Sequence, residues 1–294
     1  MAWGVLLLAI LFSALLTIIF KYYQKYEVNT PVAIVFNYVV AGGLAFAFSK
    51  HLPSVTKYFE FEWVYASIGL ALLFITLFNL LAFTSQKIGI TQSNIANKTT
   101  FIFPAIMGIW FFHESVNWIK IIGILAAVVA VIITAKEKSE QASKKHSNFL
   151  LIITLFLGGG LLDLLLSYAQ NELIPSNELS LFSGYSFALA GTLGAIQLIF
   201  KLLKKQVVIR KKDIIAGFAL GFPNYFSIFL FLKALSYAEM ETSVAFTVAN
   251  MGIIVTATFL STLLFKEKIS KRKLFSIALA ITAIILVSFS DKLQ

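Results

Sequence analysis

The sequence predicts an all-α integral membrane protein of ten transmembrane helices, arranged as two inverted five-helix repeats. Three observations carry that expectation. The chain is 59% hydrophobic and 13% charged, with a mean hydropathy of +0.87. Soluble domains carry about 25% charged residues, so there is too little polar surface here to cover a globule. The apolar residues gather into ten stretches, each of about the ~20 residues that a bilayer core requires. Finally, residues recur between the two halves at similar offsets.

The first stretch, 3–20, has no basic run ahead of it and is followed by Lys21 and Lys25. It therefore reads as an uncleaved span, not a signal peptide. Stretches 31–48 and 63–83 are continuous apolar runs without strand-like alternation. The fourth, 91–112, carries a lysine at Lys98, and the fifth, 116–135, closes the first half. A charged run without apolar period, 136–148, reads as a linker. The domain expectation is thus 1–135 and 149–294 as the two repeats. The second half holds 149–168, with Gly158-Gly159-Gly160 and Asp163, then 180–200. It continues through 213–232, with a GxxxG at Gly217 and Gly221, then 242–265 and 273–290. Both glycine patterns read as sites of close helix packing.

The halves align in pieces. Gly69/Gly217, Phe78/Phe226 and Phe83/Phe231 match at an offset of 148, and Asn97/Asn250 and Glu114/Glu267 at 153. Five helices per half is an odd number, so the second half must enter from the opposite side. Carriers place substrate near mid-membrane at the interface of such repeats. Of the 24 Lys and Arg residues, 18 fall in the loops after stretches 1, 3, 5, 7 and 9. Five (Lys50, Lys57, Lys120, Lys233 and Lys292) fall on the other side, and Lys98 is the remaining one. That bias places the odd loops in the cytoplasm and both termini outside. The net charge of +10 is thereby read as a topology signal, and nucleic acid is not an expected partner.

Lys98 organises the functional reading. Asn94, Asn97, Lys98 and Phe101 are spaced i, i+3, i+4, i+7 and share one helix face. A charge at such depth costs at least ~2.5–3.5 kcal/mol on insertion scales, so it normally faces a bundle interior or a watery cavity. Polar positions that recur in the partner half extend the face. Asn94 matches Thr247, Asn97 matches Asn250, Asn37 matches Ser186, Thr76 matches Asn224, Asn79 matches Ser227, and Asp163 matches Ser13. Turned to a common interior, these stripes would build a polar central cavity. The competing reading is a set of interhelical hydrogen bonds worth about 0.6 kcal/mol each. Lys98 and Asp163 break the symmetry as ionisable groups. They either bind substrate, with a charge state that changes in the cycle and so suits proton coupling, or form a structural ion pair. Tyr225 is a candidate lining residue, with packing as its alternative. Pro104 and Pro223 lie inside apolar stretches and serve as hinges or as static kinks. Glu114 and Glu267 sit at the membrane edge in a gating or structural role, either capping the following helix or pairing with a charge.

The stretches NKTTFIFPAIMGIWFFHESVNWIKIIGI (97–124) and VANMGIIVTATFLSTLLFKEKISKRKLFSIAL (248–279) carry a family likeness. The chain resembles the drug/metabolite transporter superfamily, in particular its EamA-type ten-helix members. There, each half has a helix with proline or small residues, a Glu shortly after its end, and then the last helix of the repeat. Pro104 and Glu114 fit the first half, and Glu267 fits the second without a preceding proline. The resemblance implies a secondary carrier working by alternating access, with both termini cytoplasmic, opposite to the charge count. It names no solute.

Catalysis is not expected. The three histidines fall in loops, and no HExxH, GxSxG, P-loop or dinucleotide motif occurs. There is no cysteine, and neither a metal nor a cofactor is expected. Without an ATP site, transport would be passive or driven by an ion or proton gradient. The expected function is secondary-active transport, in the export direction, of small polar metabolites such as amino acids. The alternatives are a carrier of anions or phosphorylated metabolites using Lys98, and a receptor or scaffold that transports nothing. The expected partners are a small-molecule substrate and the lipid bilayer of a bacterial inner membrane. A monomer is expected, with a homodimer left open.

Overall fold

A computed structural model describes residues 1–49, 55–88, 97–136, 147–266 and 270–290. Among the described residues there is no strand, and each of the ten apolar stretches contains a helix. The helices are α1 (Ala2–Lys25), α2 (Thr30–Ala47), α3 (Val64–Ile88), α4 (Ile102–Trp110, after a helical turn at 97–99) and α5 (Trp118–Lys136). The second half holds α6 (Ser147–Tyr168), α7 (Leu179–Leu203), α8 (Lys211–Leu235), α9 (Thr242–Phe265) and α10 (Lys271–Ser288). Seven of them, α1–α3 and α6–α9, are both long and apolar enough to cross a bilayer. The protein is a multi-pass integral membrane protein.

Two boundaries move for identifiable reasons. α1 continues past Phe20 to Lys25, because Lys21 packs against α9. Its Nζ donates to Ser261 Oγ at 2.7 Å and lies 4.2 Å from the centre of the Phe265 ring. α6 runs on into a π-helical turn, Ala169–Leu173, a rare form that appears mostly as a local bulge. The 136–148 linker lies largely outside the described residues.

The packing has two-fold character. α2 packs on α8 as α7 packs on α3, α1 packs on α8 and α9 as α6 packs on α3 and α4, and α5 packs on α10. Replacing helix n by helix n+5 maps this set of pairs onto itself, and α1 and α6 run in opposite directions. That is the inverted arrangement expected from five helices per half. One core gathers α2, α3, α7 and α8 around Tyr38, Trp63, Phe182 and Phe187. A second gathers α1, α4, α5, α9 and α10.

Close approach depends on the expected glycines. A Cβ on Gly217 would sit 2.5 Å from the Ala33 carbonyl oxygen, and one on Gly221 would sit 2.5 Å from Val40 Cβ. α8 therefore lies directly on the backbone of α2. On α6, Gly159 receives Thr100 and Asn97, and Gly160 receives the Phe103 ring. The α6 glycines thus bring α4 against the middle of α6.

Met1 and Ser290, the first and last described residues, lie on one face of the bundle, the terminal face. The Met1 ammonium is 3.5 Å from Glu239 Oε1, and Asn117 Nδ2 donates to the Ser290 carbonyl at 2.6 Å. On the opposite face Asp213 accepts the Asn29 N–H at 2.8 Å, and Arg210 Nη2 donates to the Glu27 carbonyl at 2.8 Å.

Gly221→Leu is expected to overpack the α2–α8 contact by about 1–3 kcal/mol. It should lower the thermal midpoint in detergent. Gly4→Leu, where a side chain would meet nothing within 4 Å, should leave the midpoint in place.

Candidate functional site

The site starts from a break in α4. Proline has no N–H and its ring crowds the carbonyl four residues back. Pro104 therefore leaves the Thr100 carbonyl without its helical donor. Phe103 N–H bonds that carbonyl instead at 3.0 Å, and Ala105 N–H resumes the regular pattern on the Phe101 carbonyl at 3.0 Å. The helix is interrupted at Thr100–Phe101, between the turn at 97–99 and Ile102. Among the described residues the kink expected at Pro104 takes the form of a helical bond lost at the Thr100 carbonyl, with Phe101 still in right-handed backbone angles (φ −56°, ψ −19°). Because Thr100 and Asn97 pack on Gly159, midway along α6, the break lies at mid-depth.

Around it stand the ionisable groups expected from sequence. Thr100 Oγ1 donates to Asp163 Oδ2 at 2.5 Å and also lies 2.8 Å from the Asn97 carbonyl oxygen. Asn97, Lys98 and Asp163 are half-buried. Lys98 and Asp163 act on each other electrostatically without closing to an ion pair. Among the described residues, nothing accepts a hydrogen bond from the Lys98 ammonium. The break therefore presents an amine without a hydrogen-bond acceptor among the described residues, a carboxylate with one oxygen engaged, and a carboxamide.

The remaining candidates form a second polar set. Asn224 Nδ2 donates to Asn37 Oδ1 at 3.1 Å across the α2–α8 contact, while Asn37 Nδ2 is buried without a partner. Asn79 Nδ2 bonds the Ile75 carbonyl at 2.8 Å and Gln197 Oε1 at 3.1 Å, joining α3 to α7. The Tyr225 hydroxyl meets Ser180 Oγ at 2.8 Å, and its buried ring stacks between Phe48 and Phe229. Both ends of Tyr225 are thereby engaged in packing. Thr247 and Asn250 are buried and return their side chains to carbonyls of their own helix, those of Ser243 at 2.7 Å and Phe246 at 3.0 Å. Pro223 is buried inside α8. Asn94 and Glu267 lie outside the described residues. No hydrogen bond among the described residues joins this second set to the break in α4.

Comparison with known proteins bears on the fold. Residues 178–289 match the model of the EamA-like transporter family. The match lies wholly in the second half of the chain and is a likeness to that family. A protein of Haemophilus influenzae described as uncharacterized is 26% identical over 298 residues, 98% of each chain. A solved crystal structure superposes with a TM-score of 0.79 at 10% identity, covering 99% of this chain and 97% of its own. At that identity the likeness is one of fold.

Glu114 works across the two halves of the bundle. The expectation that it caps the following helix, α5, is corrected. Asn117 caps α5, its Oδ1 accepting the Lys120 N–H at 2.8 Å. Glu114 is carried by a turn in which His113 adopts a left-handed φ of 53° and Glu114 N–H bonds the Gly108 carbonyl at 3.1 Å. Its carboxylate folds over Gly108, which has no Cβ to obstruct it. There it accepts the N–H of Thr242 at 2.5 Å and of Ser243 at 3.0 Å, as well as the Ser243 hydroxyl. The α9 N-cap residue, Glu241, makes no capping bond of its own. Glu114 therefore satisfies the free N–H groups of α9 and meets its positive dipole end.

Lys120 completes this latch. Counted in the sequence as an outer-face loop lysine, it is fully buried within α5. Its Nζ pairs with Glu241, donates to the Ser115 carbonyl at 2.7 Å and lies 3.8 Å from Glu114. Thr100, Lys120, Glu241 and Ser243 are the site residues that sequence reasoning passed over. The position of Thr100, four residues before Pro104, was the available signal for the first.

Breaking a buried ion pair by removing one partner costs about 3–5 kcal/mol, more than replacing both. Lys120→Met is accordingly expected to destabilise the protein strongly in thermal unfolding, and Lys120→Met with Glu241→Leu should recover part of the loss.

Proposed function

We propose that the protein is a secondary carrier of small polar metabolites such as amino acids, exporting them by alternating access through the middle of the bundle. The observation that supports this reading is the break in α4. It sets Lys98, unpaired among the described residues, at mid-depth beside Asp163, in a fold whose two halves pack as an inverted repeat. Discontinuous helices at such an interface are where carriers of this architecture hold substrate. Asn97, on the broken helix, belongs to the same candidate site. Asn37, Asn79, Asn224, Thr247 and Asn250 are proposed as polar supports around it, and Glu114 with Lys120 as the element that closes the terminal face. Proton coupling is the proposed driving force, with Asp163 as the group that titrates. A bacterial inner membrane is the proposed location, in keeping with the bacterial source of the Haemophilus relative.

One observation favours a second reading. An ammonium at mid-depth without a hydrogen-bond acceptor among the described residues suits an anionic ligand, which would make the protein a carrier of phosphorylated or other anionic metabolites.

Uptake and counterflow in proteoliposomes against a panel of amino acids and phosphorylated metabolites test both. Lys98→Ala is expected to abolish transport while the protein still elutes as a folded monodisperse species. Full transport in that variant would leave Lys98 a structural anchor, and movement of no solute by folded protein would return the protein to the receptor or scaffold class.

A further inference from the structure

We propose that Asp163 is a proton-binding site supplied from the terminal face through a file of buried polar groups along α6, formed by Ser167 and Gln170. Asp163, Ser167 and Gln170 are spaced i, i+4, i+7 and so share one face of the helix. Ser167 is fully buried and Gln170 is 6% exposed, yet Ser167 Oγ and Gln170 Oε1 have no hydrogen-bond partner. Elsewhere in this bundle a helical hydroxyl bonds the carbonyl four residues back, as Thr154, Ser183, Ser186 and Thr247 all do. Ser167 forgoes that bond. An unmet buried polar atom costs about 1–3 kcal/mol, and a water lodged between such groups removes the cost when it finds two to four partners. Asp163 and Ser167 stand about one turn apart, as do Ser167 and Gln170, a spacing that successive waters would bridge.

The file leads outward. Beyond Ser167 the backbone widens into the π-helical turn Ala169–Leu173, where Asn171 Nδ2 bonds the Ser167 carbonyl at 2.9 Å and Thr242 Oγ1 at 3.1 Å. The Thr242 N–H in turn bonds Glu114, beside the partly exposed Glu241. Polar groups thus succeed one another from the terminal face to mid-depth.

The inner end is built to register the proton. Thr100 has one hydroxyl hydrogen, yet two acceptors lie within reach, Asp163 Oδ2 at 2.5 Å and the Asn97 carbonyl at 2.8 Å. When Asp163 is ionised it takes that hydrogen. When Asp163 is protonated, its O–H donates to Thr100 Oγ1, and the threonine hydrogen turns to Asn97. The exchange needs no movement of heavy atoms and happens at the break in α4. Protonation also removes the negative charge that faces Lys98. The charged groups around Asp163 are few. Lys98 acts on it from α4, α9 has no ionisable residue, and α3 has none charged between Val64 and Gln86. Glu114, Lys120 and Glu241 stand at the outer end.

This inference deepens the carrier reading, and its test reads the proton without requiring transport, so either can fail alone. Infrared difference spectra of the purified full-length protein, recorded on acidification, are expected to show the carbonyl band of a buried carboxylic acid. Asp163→Asn should lose that band, and Asp163→Glu should shift it. Ser167→Ala with Gln170→Leu should keep the band and slow its rise after a pH jump about tenfold. A band that survives Asp163→Asn, or a rise unchanged in the double variant, would overturn the proposal.

Discussion

A bilayer offers no water to a backbone that leaves its helix, so every freed carbonyl must find another donor. Pro104 imposes that problem at the middle of the protein. Its missing N–H strands the Thr100 carbonyl, and the chain answers by tightening one turn onto Phe103 N–H. The interruption places Asn97, Lys98 and Thr100 against α6 at mid-depth. The α6 glycines make room for that contact, and Asp163 receives the Thr100 hydroxyl four residues beyond Gly159. The polar chemistry of the interior therefore descends from one backbone donor that is not there.

The rest of the architecture can be read as support for this interruption. α2 and α8 are pressed together through Gly217 and Gly221, and the Asn37–Asn224 amide pair sits at the same contact. On the terminal face Glu114 reaches from the first repeat to cap α9 in the second, and Lys120 is buried between Glu114 and Glu241. These are charge-assisted contacts with little solvent, in which each group satisfies another. They hold the ends of α4, α5 and α9 together in the arrangement seen here. An alternating-access cycle that opened the terminal face would have to part them, and the buried charges would then be met by water. Such a latch can therefore be strong when closed and still release.

Much of this was legible in the sequence, for reasons that can be named. The ten spans follow from apolar length, which the bilayer dictates, and the inversion follows from an odd number of helices per half. Lys98 and Asp163 stood out because charge at such depth is expensive. What stayed hidden depends on pairings distant in the chain. Lys120 looks like any loop lysine, since nothing near it in sequence announces Glu241, 121 residues later. Glu114 was singled out in the sequence, but the helix it caps belongs to the other half of the chain. Tyr225 was ambiguous between lining and packing, and only Ser180, Phe48 and Phe229 decide it. Pro104 was visible as a helix breaker, whereas the site of the break lies at the carbonyl it deprives.

A polar, water-reached site at mid-membrane, set by the α4 break, has a direct test. The chain contains no cysteine, so single cysteines can be placed in the natural background. Labelling of Asn97→Cys and Lys98→Cys by a membrane-impermeant thiol reagent, against Val131→Cys in the α5 core as the buried control, is the most direct measurement. The account predicts that the two α4 positions label and the control does not. Failure of both to label in folded protein, at the level of the control, would contradict it.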